Sequence, residues 1–411
     1  MDSKSKSNYF KYVLSNVLYK ISVLFCIGTI IQAFLLKIGL TEEQLYLYNS
    51  ITYGTQVAVM FAMTFISDKI KNVKIVMSIT ALSFVFLFIV LIVGAILKEV
   101  GIVYIILLFA VSIICYIGYG MHSIMSYVFP YKVLDMSDYG KITGIVGGLG
   151  GGVTFGVSII HSLIISNFDY NVSSIIFFII AIICSMFCSL KYFEMKEIVG
   201  NISTPTKKDF AKVLKNKSLY LLLIPNFTRG ITTGIVGVIT VIAIARGIVD
   251  VTSSSYVNVI TQLAILVGSF GFAFLCKKIK VRNLMLIGVL VVGALLPLTI
   301  IKNDIILFLT LYGIMYLFMI DVDTAIPVLV TEIIPEDEIG GYTSIRMMIF
   351  TAGTAIATLI ITPIINLVGY VGLLIFASIC LLICGIAYYI TAIVCSRKQS
   401  LNLNKTITTD N

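Results

Sequence analysis

Residues 68–97 read DKIKNVKIVMSITALSFVFLFIVLIVGAIL, a lysine-rich turn followed by 23 residues without a formal charge. A helix rises about 1.5 Å per residue, so about 20 apolar residues cross the roughly 30 Å hydrocarbon core of a bilayer. The uncharged stretch does not alternate between apolar and polar residues, as a barrel strand would. It therefore predicts a transmembrane helix that begins beside a basic turn.

Similar stretches recur along the whole chain. Its 411 residues are 59% hydrophobic and 12% charged, whereas about 25% of the residues of an average soluble domain are charged. Lipid offers the backbone no hydrogen-bond partners, so we expect an all-α membrane protein. The predicted spans, numbered 1 to 12 in chain order, are 12–37, 45–67, 75–97, 102–129, 142–166, 172–193, 218–246, 256–276, 284–301, 305–330, 342–367 and 371–395.

The basic residues lie mainly on one side of these spans. Of the 29 Lys and Arg, 22 fall in the two tails, in alternate connections or at the span ends beside them, four fall in the other connections or at the span ends beside those, and three fall well inside spans. Cytoplasmic loops are enriched in Lys and Arg, so we expect a multi-pass protein of the cytoplasmic membrane with both termini in the cytoplasm. Topology and contact with membrane lipids then explain the net charge of +9, and no nucleic-acid partner is expected.

A shift of 209 positions superposes the two halves of the chain. It places Lys20 on Arg229 and Lys37 on Arg246, and it places the turn at 68–74 on the turn at 277–282. Topology alone would explain the basic turns, but Lys20 and Arg229 each lie inside the first span of a half. We predict two pseudo-symmetric bundles. The divisions are an N-terminal six-helix bundle at 1–193, a cytoplasmic linker at 194–217, a C-terminal six-helix bundle at 218–396 and a cytoplasmic tail at 397–411.

The 6+6 layout, the basic central loop and the turn DKIKNVK at 68–74 resemble the major facilitator superfamily (MFS) over essentially the whole chain. In that family the turn between spans 2 and 3 has an acidic residue followed by basic ones and takes part in gating. The resemblance implies gating roles for Asp68, Lys69 and Lys71. Two residues depart from the family pattern, Thr64 and Asn72.

The resemblance also implies a secondary transporter whose halves rock around a central site, with spans 1, 4, 7 and 10 lining the pathway. A weaker similarity, to cation symporters of the glycoside-pentoside-hexuronide group, comes from KDFAKVLKNK at 208–217. Those symporters carry acidic residues in span 2 for a cation site. Residues 46–67 contain none, so that ion site is not transferred to this chain.

Titratable residues inside spans are candidates for the pathway, because an ionised side chain at the bilayer centre costs about 2.5–3.5 kcal/mol even on a lenient scale. Arg229 is the leading candidate, since it precedes three glycines in span 7 that permit a bent helix. The alternative is a structural pair with an aspartate of span 10. The predicted substrate and ion pathway contains Lys20, Asn226, Arg229, His122, Asp321 and Asp323.

Asp321 and Asp323 are also candidates for proton coupling. A carboxylate that exchanges an Arg partner for an apolar surrounding during alternating access gains a proton. The alternative is an ion pair that forms a cytoplasmic gate. For Lys20 the alternative is a side chain that reaches the lipid headgroups, and for His122 it is a hydrogen-bonded packing residue.

Arg346 in span 11 is assigned to the gate near the cytoplasmic surface. The alternative is an ion pair with one of the acidic residues of the preceding turn. These are Glu332, Glu336, Asp337 and Glu338.

Glycines recur between Gly144 and Gly156 in span 5. They lie inside an apolar span with no preceding strand, so they do not form a phosphate-binding loop. Small residues let helices approach closely, and we expect span 5 to pack against a span of the other half. The sequence contains no metal-ligand cluster and no arrangement of nucleophile and base, so we expect no cofactor, no metal and no enzymatic activity.

We conclude from the sequence that the chain moves a small polar or anionic solute by alternating access. Its expected partners are a small-molecule substrate, protons or a coupling cation, and membrane lipids. One alternative is a drug or metabolite efflux antiporter, although span 5 lacks the proline of the antiporter glycine motif. The other is a transport-inactive relative that serves as a sensor or assembly factor.

Overall fold

The computed structural model describes residues 3–66, 70–134, 139–197, 217–333 and 339–409. Within these ranges the regular structure is entirely helical, which confirms the predicted all-α class. The predicted linker at 194–217 lies mostly outside the described residues. The division into bundles at 1–193 and 218–396 stays a prediction, and the two sets of six spans are called the first and second halves below.

The helices follow the predicted spans closely. Span 1 is formed by two helices, Ser3–Cys26 and Thr29–Lys37, and span 7 by Lys217–Val236 and Ile239–Ala245. Spans 11 and 12 lie in one stretch, Ile339–Thr409, whose helical path is interrupted at Gly369 with φ 73°. The other spans are Glu42–Ile66, Val73–Leu97, Ile102–Val133, Tyr139–Asn167, Tyr170–Glu194, Ser254–Leu275, Val281–Leu295 extended by the 3-10 turn Leu296–Ile300, and Ile305–Ile333.

Ten stretches of the described residues are long and apolar enough to cross a membrane. One of them, Ile345–Val394, contains both spans 11 and 12. Span 2, Glu42–Ile66, is long enough but is not among the ten, and it carries the buried polar side chains Asn49, Thr52 and Gln56. The described helices are therefore consistent with twelve spans.

Spans 1 and 7 are both interrupted by a glycine, and the two glycines are again 209 positions apart. In span 1 the interruption falls at Gly28, whose φ of 89° is favoured by a residue without a Cβ. In span 7 it falls at Gly237, just before the helix Ile239–Ala245 begins. The internal repeat thus extends from the basic residues to the points at which the two helices break.

Glycines also let span 7 pack directly against span 11. A Cβ placed on Gly230 would overlap the Phe350 carbonyl oxygen, and a Cβ on Gly353 would overlap the Phe227 carbonyl oxygen. Backbone approaches this close are the usual role of small residues in membrane helices. They fix the position of Arg229, which immediately precedes Gly230.

The bundle has two faces that differ in charge. We call the end that carries the turns before Val73 and Val281 the basic face, because Lys71, Lys74 and Lys277 to Lys280 lie there. The other end is called the opposite face.

Hydrogen bonds that join the first six spans to the last six cluster near the opposite face. They include Ser50 Oγ to the Ala355 oxygen at 3.0 Å, Tyr370 Oη to Glu42 Oε2 at 3.3 Å, Thr29 Oγ1 with Thr240 Oγ1 at 3.5 Å, and three between spans 5 and 8.

Candidate substrate pathway

A cavity of about 810 Å³ lies between the first six and the last six spans. Spans 1 and 5 line it on one side, and spans 7, 8 and 10 on the other. Most of the lining residues lie in the middle of their helices or nearer their basic-face ends. The volume is within the range of about 300–1,000 Å³ that is usual for small-molecule sites.

Arg229 of span 7 and Asp323 of span 10 form an ion pair on the wall of this cavity. Arg229 Nη2 donates to Asp323 Oδ1, and Arg229 Nη1 donates to Thr233 Oγ1 at 2.6 Å. The Arg229 side chain is 1% exposed, whereas that of Asp323 is 48% exposed. Arg229 Nε is buried without a hydrogen-bond partner, so its guanidinium is incompletely satisfied. The carboxylate is therefore the accessible member of the pair.

Lys20 of span 1 lines the same cavity from the first half. Its Nζ donates to the Val146 oxygen of span 5 at 3.3 Å, and a Cβ on Gly150 would lie 2.7 Å from that nitrogen. The structure gives Lys20 no carboxylate partner among the described residues. Its side chain therefore lies on the cavity wall, against span 5. With the Arg229 and Asp323 charges cancelling, Lys20 leaves the cavity wall positive.

Span 5 packs against span 8 of the other half, as predicted, but Gly147, Gly148 and Gly152 do not make that contact. Ideal Cβ atoms on Gly147, Gly148 and Gly152 would meet nothing within 4 Å, and one on Gly151 would be 3.7 Å from Leu266. Gly147, Gly148 and Gly151 line the cavity, so they widen it and do not bring spans 5 and 8 together. The close contact of span 5 with span 8 occurs farther along, through serine side chains.

Sequence reasoning missed several polar residues of the cavity wall. Asn258 and Gln262 lie on successive turns of span 8, and Thr261 Oγ1 is 3.1 Å from Tyr312 Oη of span 10. These residues carry no charge, and uncharged amides and hydroxyls are common in this sequence. Only their place on the lining face of span 8 distinguishes them.

Three predicted pathway residues lie away from the cavity, and two of them have packing partners within one half. Asn226 Nδ2 donates to Tyr388 Oη at 2.7 Å and to Tyr342 Oη at 3.2 Å, inside the second half. His122 stacks on Tyr19 with 3.7 Å between ring centroids. Its Nδ1 is 3.2 Å from Thr80 Oγ1.

Asp321, the third, also faces away from the cavity, although it is only two residues before Asp323. A Cβ on Gly288 of span 9 would lie 3.7 Å from the Asp321 Cβ, and Asp321 is 5% exposed. The two aspartates therefore occupy different faces of span 10. Span 4, which the family resemblance placed on the pathway, contributes none of its described residues to the wall of this cavity.

The predicted gating residues are only partly described. Asp68 and Lys69 lie outside the described residues, and Lys71 is exposed on the basic face. Arg346 is half-buried, with Nη2 at 3.6 Å from Met347 Sδ and Nε buried without a partner. The alternative pairing of Arg346 with Glu332, Glu336, Asp337 or Glu338 involves side chains outside the described residues.

Comparison with solved structures shows the same architecture in known transporters. The chain resembles a mutant form of the nucleoside transporter NupG with a TM-score of 0.66, at 13% identity over 95% of this chain and 99% of that one. It resembles a mutant form of the E. coli fucose:proton symporter FucP with a TM-score of 0.62, at 12% identity over 93% of this chain and 98% of that one. FucP in the outward conformation gives a TM-score of 0.62, at 13% identity over 93% and 99%. At these identities the likeness shows the fold alone.

Sequence comparison adds the family. No curated protein sequence matches this chain. A family model, described as Major Facilitator Superfamily, matches residues 14–319. That match covers well over half of the chain, and it includes Lys20 and Arg229 of the two repeated spans. The protein therefore belongs to the Major Facilitator Superfamily, and it is a transporter and not an enzyme.

Proposed function

We propose that the protein is a secondary active transporter that moves a small anionic or polar solute across the cytoplasmic membrane and is driven by protons. The observation that supports this best is the pairing of Arg229 with the exposed carboxylate of Asp323 on a cavity wall that also carries Lys20. Charges inside a membrane protein are costly, and they are concentrated where a substrate or ion passes.

The basic face is the cytoplasmic face in this proposal, because Lys and Arg are retained on that side of a membrane. The cross-half hydrogen bonds near the opposite face then close the outer side. The cavity between spans 1, 5, 7, 8 and 10 is consequently the chamber of an inward-facing state. Both termini lie in the cytoplasm.

An anion fits the charges of this chamber. Lys20 is a cation without a carboxylate partner among the described residues, and it faces a chamber large enough for a small organic molecule. A charge-assisted hydrogen bond from an ammonium to a carboxylate or phosphate oxygen is about twice as strong as a neutral one. Lys20 therefore binds the anionic group of the solute.

Asp323 is the coupling carboxylate in this proposal. It is half exposed to the chamber, so water from the cytoplasm can deliver or remove its proton. When Asp323 is protonated, Arg229 loses its counter-charge and becomes a second cation for the solute. Solute binding and proton binding then favour each other, which is the linkage that coupled transport requires.

The test is transport by the purified protein in liposomes. A thermal-shift screen of small carboxylates, phosphates and polyols first identifies a solute that stabilises the protein, and its uptake is then measured with an imposed pH gradient. We expect uptake above that of empty liposomes, dependent on the gradient, and abolished in Arg229→Ala. Uptake that is the same in wild type and Arg229→Ala would contradict the proposed site. If a solute stabilises the protein in the thermal-shift screen but is never taken up, the sensor alternative is favoured.

A further inference from the structure

Spans 5 and 8 meet along a row of polar side chains between the cavity and the opposite face. Ser158, Ser162 and Ser166 are four residues apart, so they lie on one side of span 5. Asn258 Nδ2 donates to Ser158 Oγ at 2.8 Å, Ser162 Oγ is 3.0 Å from Ser255 Oγ, and Ser166 Oγ is 3.3 Å from Tyr256 Oη. We call these three side-chain pairs the 5–8 seam.

The directions of the two inner hydrogen bonds follow from the local helix. Ser158 Oγ already donates to the Thr154 oxygen at 2.8 Å, so it meets Asn258 only as an acceptor. Ser255 Oγ donates to the Thr252 oxygen at 2.8 Å, so Ser162 is the donor to Ser255. Each serine has a single hydroxyl proton. The pair of Ser158 and Asn258 therefore depends entirely on the amide of Asn258.

Asn258 differs from the other members of the seam because it also lines the cavity. It is 5% exposed, and Ser158 is fully buried. Thr154, one turn before Ser158, lines the cavity as well. The pair of Ser158 and Asn258 thus forms the roof of the cavity, and the other two pairs lie between that roof and the opposite face.

We propose that Asn258 is the positioning residue of the outer gate: its amide holds spans 5 and 8 together at Ser158 and so closes the cavity from the outside. This rests on the proposed function, because the opposite face is taken as the outer side of an alternating-access transporter. Ser158 belongs to the first half and Asn258 to the second, so opening the cavity to the outside must separate them. The hydrogen bond that they share therefore stabilises the inward-facing state and is lost in the outward-facing one.

Accessibility of an engineered cysteine tests this without knowledge of the solute. Thr154→Cys places a thiol in the cavity below the seam, and a membrane-impermeant maleimide is applied to intact cells from the outside. Of the seven native cysteines whose side chains the structure describes, six are buried, and Cys276 is half-buried near the basic face. The chain without Thr154→Cys gives the background. The Thr154→Cys protein with no further substitution is called the parent. We expect the maleimide to label it slowly, because the seam is closed.

Introduced into the parent, Asn258→Ala and Ser158→Ala should each accelerate labelling of the engineered thiol by about three- to tenfold. This is the usual effect of one buried hydrogen bond on an equilibrium. Because both variants remove the same bond, the double variant should label no faster than either single one. Gln262→Ala is the matched control. It lies one turn along span 8 and lines the cavity, but it belongs to no pair of the seam.

The outcomes separate this inference from the proposed function. Labelling at the parent rate in both single variants, or accelerations that multiply in the double variant, would overturn the role of Asn258. Rapid outside labelling of the parent would instead contradict the inward-facing assignment itself. Labelling from the cytoplasmic side, measured in inverted vesicles, must remain in every variant, which shows that each has folded around an open cavity.

Discussion

Arg229 and Asp323 form an ion pair in which the cation is buried and the carboxylate is half exposed to the cavity. Both residues belong to the last six spans, Arg229 to span 7 and Asp323 to span 10. Rocking of one half against the other does not by itself separate two residues of the same half. In the proposed transport cycle the pair is therefore broken locally, by a proton on Asp323 or by a solute on Arg229. The proposal thus makes the pair a chemical switch within one half and not a lock between the two halves.

The unequal burial predicts unequal effects on stability. Asp323→Ala leaves a buried guanidinium without its counter-charge, and breaking a buried pair in this way costs about 3–5 kcal/mol. Arg229→Met leaves Asp323, which water in the cavity can solvate, so the loss should be much smaller. Thermal unfolding in detergent measures both. The double variant should be more stable than Asp323→Ala alone, and equal losses from the two single variants would contradict the assigned burial.

Proton coupling should depend on Asp323 and not on Asp321. In Asp323→Asn the side chain cannot titrate, so accumulation driven by a pH gradient should fall by at least about tenfold, which corresponds to about 1.4 kcal/mol of driving force. Exchange of labelled for unlabelled solute, which needs no net proton movement, should continue. Asp321→Asn is the matched control, because this residue is two positions away and faces span 9. Equal loss of gradient-driven uptake in both variants would mean that the coupling group is not determined by exposure to the cavity.

Lys20 should determine the affinity for the anionic group of the solute. Lys20→Met removes the charge and keeps an unbranched side chain, and loss of a charged hydrogen bond of about 1.5–3 kcal/mol predicts a KM raised by about ten- to a hundredfold. Lys20→Arg should retain most of the affinity, because the positive charge remains. Initial rates over a range of solute concentrations give the comparison. If the solute is neutral, Lys20→Met will leave KM unchanged, and the anion assignment will be wrong.

The sequence predicts the fold well because lipid restricts the chain to a few solutions. Apolar length locates the spans, the distribution of lysine separates the two faces, and the 209-residue shift relates Lys20 to Arg229 through their charge alone. The same shift relates Gly28 to Gly237, but two glycines among 31 are informative only because both interrupt a helix. Charges and periodicity are thus sufficient for architecture.

The site is less predictable, because a helix face must be known to within one residue. Asp321 and Asp323 are equivalent as charges in the sequence, yet a rotation of about 200° along the helix places them on different faces of span 10. The cavity wall also uses uncharged residues, such as Asn258 and Gln262, which no charge argument distinguishes. The prediction that span 5 packs against the other half is confirmed, because its serines contact span 8. Gly147, Gly148 and Gly152 nevertheless face open space, because small residues permit either close packing or an empty volume.

Alanine substitutions at Gly230 and Gly147 should have opposite effects on stability, although both glycines lie inside predicted spans. A Cβ on Gly230 would overlap the Phe350 oxygen of span 11, whereas a Cβ on Gly147 would meet nothing within 4 Å. The backbone oxygen cannot rotate away, so Gly230→Ala must push spans 7 and 11 apart, and such overpacking typically costs about 1–3 kcal/mol. Gly147→Ala adds a methyl group in open space and gains about 0.5–1 kcal/mol of helix propensity. We therefore expect a lower melting temperature for Gly230→Ala and an unchanged or higher one for Gly147→Ala, both measured in the same detergent. A Gly230→Ala protein as stable as wild type would show that spans 7 and 11 do not approach this closely.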